Sequence, residues 1–286
     1  MRRLGRTEIQ ATEIGLGCAS MGRPERSDEN AVRAIRVAID YGVNYIDTSA
    51  GYAESERRVG LALADGWRDK VYLQTKTGTN PARPRDYTAA GTRWSVENSL
   101  RQLRTDYLDA VLIHDPTEVG IPLSPGFALD ELLKMKDEGL IRFVGIGCRE
   151  HSFHRRAIET GHMDIVLTFL DYTLLNQSVV TTTLPLARQH DVGVQLASVL
   201  GCWSGALAGT EPVDNPAAHA MWTWCQQRGV SLRHLALRFA LAAPVEGIVI
   251  VGPGTPSHVE DVCREALTPI PAEVWHDFKA EFGVGV

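Results

Sequence analysis

The chain has 286 residues, 44% of them apolar and 22% charged, with a formal charge of −6 at neutral pH. That describes an ordinary globular protein, long enough to bury a core without staples. The acidic balance gives no electrostatic footprint for nucleic acid, no basic run suggests a membrane surface, and no apolar stretch approaches the roughly 20 residues of a bilayer crossing. The opening MRRLGRTEIQ has early arginines without an apolar run behind them, so it is not read as a signal peptide. Five cysteines (Cys18, Cys148, Cys202, Cys225 and Cys263) are scattered, odd in number and never in a C-x-x-C pair. They predict reduced thiols in a cytoplasmic enzyme, not a disulfide framework or a structural zinc.

In chain order, Arg2–Thr12 reads as a small hairpin and Ile14–Ala19 as a first strand. A helical stretch from Asn30 stops at Gly42, and NYID (Asn44–Asp47), a helix over Glu54–Ala64 and VYLQTK (Val71–Lys76) follow. A long helix over Thr88–Arg104 precedes AVLIH (Ala110–His114). The second half repeats the rhythm. ALDELLKMKDEG leads to IRFVGIG, a short helix after Ser152 to DIVLTFL, and a helical SVVTTTLPLARQHDVG to GVQLAS. Helices over 215–228 and 231–241 then lead to GIVIVG, and a last pair follows Pro256 and Pro271.

The eight strand candidates are near-continuous apolar runs, the pattern of parallel strands covered on both faces. Their alternation with helices predicts an α/β fold: one (β/α)8 TIM barrel domain over 1–286, with a hairpin plugging its floor and extra C-terminal helices. No G-x-G-x-x-G lies between the first strand and first helix, which weakens a doubly wound sheet.

In such a barrel the chemistry sits at the carboxyl ends of the strands. Asp47, Lys76 and His114 end three consecutive strand candidates, and Tyr52 lies in the loop after the first of these. Taken singly, each has an ordinary explanation: a helix cap, a solvated lysine, a structural histidine. Together they form a proton-transfer device. An ammonium beside a phenol lowers its pKa from roughly 10 towards the working range. The carboxylate keeps the lysine charged, and the histidine holds a carbonyl oxygen or shares the proton.

IDTSAGYAESERRVGLAL, VYLQTK, SVENSLRQLRTDYLDAVLIHDP and IRFVGIG, in this order and spacing, resemble successive signatures of the aldo-keto reductase superfamily across nearly the whole chain. The resemblance makes Asp47, Tyr52, Lys76 and His114 the catalytic tetrad. Tyr52 is then general acid in carbonyl reduction and, as tyrosinate, general base in alcohol oxidation. It also implies NAD or NADP as hydride carrier.

The chain departs from the family at the nicotinamide clamp. Gly147 and Cys148 stand where the family has Ser-Asn, and Phe169 stands near a missing glutamine. The strand end LASVLG offers Ala197, Ser198 and Leu200 in place of a stacking aromatic residue. With DYTLLN, these changes resemble the branch of L-galactose, L-fucose and D-threo-aldose dehydrogenases and of pyridoxal dehydrogenase. That branch implies oxidation of the anomeric carbon of a free sugar. The alternative is an NADPH-dependent reductase of an aldehyde or ketone. A non-catalytic nucleotide-binding subunit is a more distant one, opposed by the intact tetrad.

After the last strand, Gly252, Gly254, Thr255 and His258 are expected at the adenosine end of the cofactor. The window Gly252–His258 holds no Lys or Arg, which predicts NAD over NADP unless His258, Arg264 or an arginine from another loop supplies the charge. Tyr52, His114 and Trp203 are expected to face the substrate, a small sugar or aldehyde. Trp222 and Trp224 can equally belong to the core. His151-x-x-His154 reads as a surface helix start, not a metal pair, and Arg93 and Trp94 as an outer helix face. Monomer is the default.

Overall fold

The computed structural model describes residues 1–201 and 203–286; Cys202, one of the five expected thiols, lies outside the described residues. Strand β1 (Arg2–Arg3) pairs antiparallel with β2 (Gln10–Ala11) as a hairpin. There follow β3 (Ile14–Gly17), α1 (Asp28–Asp40), β4 (Tyr45–Asp47), α2 (Ser55–Ala62), β5 (Tyr72–Thr77), α3 (Ala89–Leu103) and β6 (Leu108–His114). Next come α4 (Gly120–Leu123), α5 (Ala128–Asp137), β7 (Ile141–Gly147), α6 (His151–Glu159), β8 (Ile165–Phe169), α7 (Thr183–Gln189) and β9 (Gly193–Ala197). The chain closes with α8 (Pro216–Gln227), α9 (Leu232–Leu241), β10 (Gly247–Val251), α10 (Pro256–Leu267) and α11 (Ala272–Phe282). Strands β3 to β10 pair in parallel in chain order and β10 returns to β3, closing an eight-stranded (β/α)8 barrel.

The barrel strands are apolar throughout because they carry two layers. Inward residues such as Tyr45, Leu112, Ile165, Leu167 and Ile250 fill the lumen. Outward ones such as Ile46, Val111, Ile113 and Val144 pack under the helices. The hairpin closes the floor: Leu4, Ile9 and Ala11 join the lumen layer. Gly5 sits at φ +49°, and a Cβ there would lie 2.1 Å from Gly193 N, so the hairpin docks only because position 5 has no side chain. Arg3 bonds both oxygens of Asp191 at 2.8 Å, and Arg6 reaches Asp164 and the carbonyls of Gly161 and Met163, fixing the plug.

Helix starts follow side-chain caps more closely than apolar periodicity does. Ser27 accepts from Asn30 N, so α1 begins two residues before the expected Asn30. Thr88, Asn215, Ser231 and Thr255 cap α3, α8, α9 and α10 in the same way. The segment expected to be helical from Ser178 splits into a 3-10 turn over Ser178–Val180 and then α7. The β-branched run Val179–Thr183, which spans the break, is a poor helix core. Trp224 packs edge-to-face on Phe278 at 5.2 Å as part of the core, and Trp222 is half-buried.

Candidate active site

The upper ends of three adjacent strands bring the expected residues together. Asp47 ends β4, Lys76 is the penultimate residue of β5, and His114 ends β6. Lys76 Nζ donates to Asp47 Oδ1 at 2.5 Å and to the Thr48 carbonyl at 2.8 Å. The same ammonium lies 4.8 Å from the Tyr52 ring centroid, and that ring meets His114 edge-to-face at 5.6 Å. His114 Nδ1 contacts Thr79 Oγ1 at 2.7 Å and Ser49 Oγ at 3.1 Å, while Nε2 is 3.4 Å from Asp115 Oδ2.

Burial sets the electrostatics. Lys76 and Asp47 are 1% and 4% exposed, and a buried ammonium needs such a partner to stay charged. Burial pulls the Lys76 pKa down, but the charge and hydrogen bond of Asp47, aided by Tyr52, leave it raised. The ammonium is therefore secure. Burial, reinforced by Lys76, lowers His114 to about 3, so its imidazole is neutral at physiological pH. Tyr52 corrects an expectation. Burial of the phenol outweighs the opposing pull of Lys76, and its pKa is raised, not lowered.

A polar chain in the lumen supports Asp47 and was missed in the sequence. Gln74 Nε2 donates to Asp47 Oδ1 at 2.7 Å and to Gln195 Oε1 at 2.8 Å, and Gln195 Nε2 reaches Tyr45 Oη at 2.9 Å. All three side chains are fully buried. The available signal was a glutamine inside each of the apolar runs VYLQTK and GVQLAS. His154 was also misread. It is fully buried, with Nε2 3.0 Å from the Cys148 carbonyl and Nδ1 3.0 Å from Thr183 Oγ1. The pair does begin a helix, since α6 starts at His151, but His154 faces inward from it instead of to the surface.

Two clefts open at this end of the barrel. The first, about 540 Å³, is lined among others by Asp47, Tyr52, Ala197, Ser198, Leu200, Trp203, Gly252, Gly254 and His258. The second, about 640 Å³, is bounded by Asp115, Cys148, Arg149, Phe169, Asp171 and Asn176. Trp203 thus lies with the glycines rather than beside Cys148. Gly147 is buried between β6 and β8, and Thr255 caps α10; neither lines a cleft.

The aldo/keto reductase family model matches residues 13–280. The chain belongs to the aldo/keto reductase family. It is 28% identical to D-threo-aldose 1-dehydrogenase of a Pseudomonas species, over 92% of this chain and 91% of that protein. L-galactose dehydrogenase of Arabidopsis thaliana is also 28% identical, over 91% and 86%. Among solved structures, an aldo/keto reductase from Klebsiella pneumoniae in complex with NADP and acetate superposes with TM-score 0.78 at 25% identity, covering 98% of this chain and 95% of that one.

This aldo-keto reductase is thus an NAD(P)-dependent oxidoreductase, and its first cleft fits such a dinucleotide. The cleft is lined by Tyr52 and also by Gly252 and Gly254, where backbone without side chains lets a ligand come close. The Gly252–His258 window carries no charge of its own, yet it is not without a cation in three dimensions, so the expected preference for NAD is not supported. The loop between β3 and α1 lays the Arg26 guanidinium on Gly254, where a Cβ would lie 2.4 Å from Nη2. Among the described residues, no helix is long and apolar enough to cross a membrane.

Proposed function

We propose that this aldo-keto reductase oxidises the anomeric carbon of a free sugar, in the manner of an aldose 1-dehydrogenase, with Tyr52 carrying the proton. The observation that carries the reading is the buried Lys76–Asp47 pair lying against the Tyr52 ring, with neutral His114 at its edge. Bound NAD(P) exchanges the hydride with the reacting carbon. As tyrosinate, Tyr52 takes the proton of the anomeric hydroxyl. The Lys76 ammonium stabilises that phenolate, and Asp47 keeps Lys76 charged and placed. With Nδ1 accepting from Thr79, His114 Nε2 carries its hydrogen and donates to the substrate oxygen. The two 28%-identical sugar dehydrogenases support the substrate class. So do the exposed polar groups of the second cleft, the Asp115 carboxylate and the terminal nitrogens of Arg149, whose Nε is held by Asp171, itself bonded to Asn176. His154, bonded to the Cys148 carbonyl, steadies the end of β7 beside the second cleft. We take the chain to work as a single-domain cytoplasmic monomer.

A second reading, reduction of an aldehyde or ketone, is favoured by one observation. The raised pKa of Tyr52 makes the phenol a proton donor at neutral pH. A dehydrogenase screen of free aldoses with both oxidised cofactors, run beside an aldehyde-reduction screen with both reduced ones, decides between the two. Turnover of aldoses is expected. Aldehyde reduction without any aldose oxidation would replace the first reading by the second.

A further inference from the structure

We propose that Arg26 selects NADP(H) over NAD(H) by binding the 2′-phosphate of the adenosine ribose. This rests on the Tyr52–Gly254 cleft being the cofactor channel. Arg26 lines that cleft together with Gly252, Gly254 and His258, the residues that follow β10. Its guanidinium lies flat on Gly254: the three atoms nearest to a Cβ there would be Nη2 at 2.4 Å, Cζ at 2.7 Å and Nε at 2.9 Å. Only glycine at 254 leaves the guanidinium this place. The missing side chain after β10 is therefore the condition for a cation delivered from the opposite loop.

The guanidinium is anchored without being consumed. Nε donates to the Ser20 carbonyl at 2.9 Å, and Ser20 Oγ in turn donates to the Gly252 carbonyl at 2.7 Å. No carboxylate among the described residues lies within ion-pair distance of Arg26, so both terminal nitrogens keep donors for an anion. A planar guanidinium with free donors matches a phosphate in shape and charge. The loop that carries it is fixed as well. Arg58, 4% exposed, donates to the carbonyls of Met21 (2.7 Å), Arg23 (2.9 Å) and Arg26 (2.6 Å) and to Asp28 Oδ1 (2.9 Å). A site held in this way loses little freedom when it binds.

The carboxylates point the same way. Preference for NAD is commonly built with an Asp or Glu that accepts from the ribose 2′-hydroxyl. Among the described residues, the one carboxylate lining this cleft is Asp47, which is bonded to Lys76. Arg23, the other cation of the lining, is exposed and its nearest acid is Glu25 at 3.9 Å. Arg264 is also exposed and turned to Asp261 at 3.4 Å. Arg26 alone combines a fixed loop, free donors and contact with Gly254.

The test is direct binding, followed by quenching of tryptophan fluorescence, of NADPH and NADH to the wild type, Arg26→Ala and Gly254→Ala. Wild type should bind NADPH at least about tenfold more tightly than NADH. Arg26→Ala should lose about tenfold or more for NADPH with NADH changed less than about twofold. Gly254→Ala, which displaces the guanidinium while keeping it in the chain, should move in the same direction. Adenosine 2′,5′-bisphosphate should compete with NADPH, while adenosine 5′-monophosphate and inorganic phosphate compete far less. An Arg26→Ala chain that binds NADPH as wild type does, or weakens equally for both nucleotides, overturns the proposal. So does a wild type that favours NADH. Binding of neither nucleotide by the wild type overturns the channel reading itself, and the proposal with it.

Discussion

Tyr52 sits between two opposed influences, and their balance fixes its pH behaviour. Burial raises its pKa above the ordinary 10, and Lys76 restrains the rise. The acid form therefore persists through the neutral range. In the reducing direction kcat/KM is expected to stay level up to about pH 10 and to fall only above it. In the oxidising direction, which needs tyrosinate, kcat/KM is expected to climb with pH over the same range. Lys76→Met removes the restraining charge, so the alkaline limb of the residual activity should move upward; a downward move would contradict the assigned balance. Gln74 acts one step removed, through its 2.7 Å bond to Asp47. Gln74→Leu should cost about 1–3 kcal/mol of stability, read by denaturant unfolding, because it removes one of the two donors to Asp47 Oδ1 and strands the buried amide oxygen of Gln195.

Among the elements, the hairpin over Arg2–Ala11 is the one whose role reaches beyond its size. It supplies Leu4 and Ile9 to the lumen, where both are almost fully buried. Leu4→Ala should lower unfolding stability by about 2–5 kcal/mol while leaving nucleotide affinity unchanged, since the floor lies at the opposite end of the strands from Tyr52. Loss of nucleotide affinity in a folded Leu4→Ala chain would show that floor and mouth are coupled. The elements were largely legible in the sequence because a strand covered on both faces must be an apolar run, and each run survives to within about three residues. Asp47, Lys76 and His114 were legible for the same reason: a polar residue at the end of an apolar run marks the barrel mouth. The Gln74–Gln195 pair and the Arg26–Gly254 contact were not. Each joins segments separated by more than a hundred residues, and only closure of the barrel makes them neighbours. His154 hid behind a short helix whose burial depends on α7 packing over it.

At the scale of the whole molecule, barrel closure of β10 on β3 brings residues from both ends of the chain to one cleft, and the same burial that shapes the mouth makes the fold sensitive to acid. His114 is held down to about 3 and His154 to about 4, both chiefly by burial. In the unfolded chain each takes a proton near the ordinary value of about 6.5. Stability supplied by the neutral folded forms is therefore complete above about pH 6.5 and is lost as pH falls towards 4, by up to about 1 kcal/mol per pH unit for each histidine. Denaturant unfolding at pH 7 and pH 5 should show the drop, and His154→Gln should reduce its slope. The central claim, that Tyr52 is the proton carrier of an NAD(P)-dependent oxidoreductase, is tested most directly by Tyr52→Phe with steady-state turnover and nucleotide titration on the same preparation. Turnover of the best substrate should fall by about 100-fold or more with nucleotide affinity within about twofold of wild type. A Tyr52→Phe enzyme that keeps most of its turnover would contradict the account.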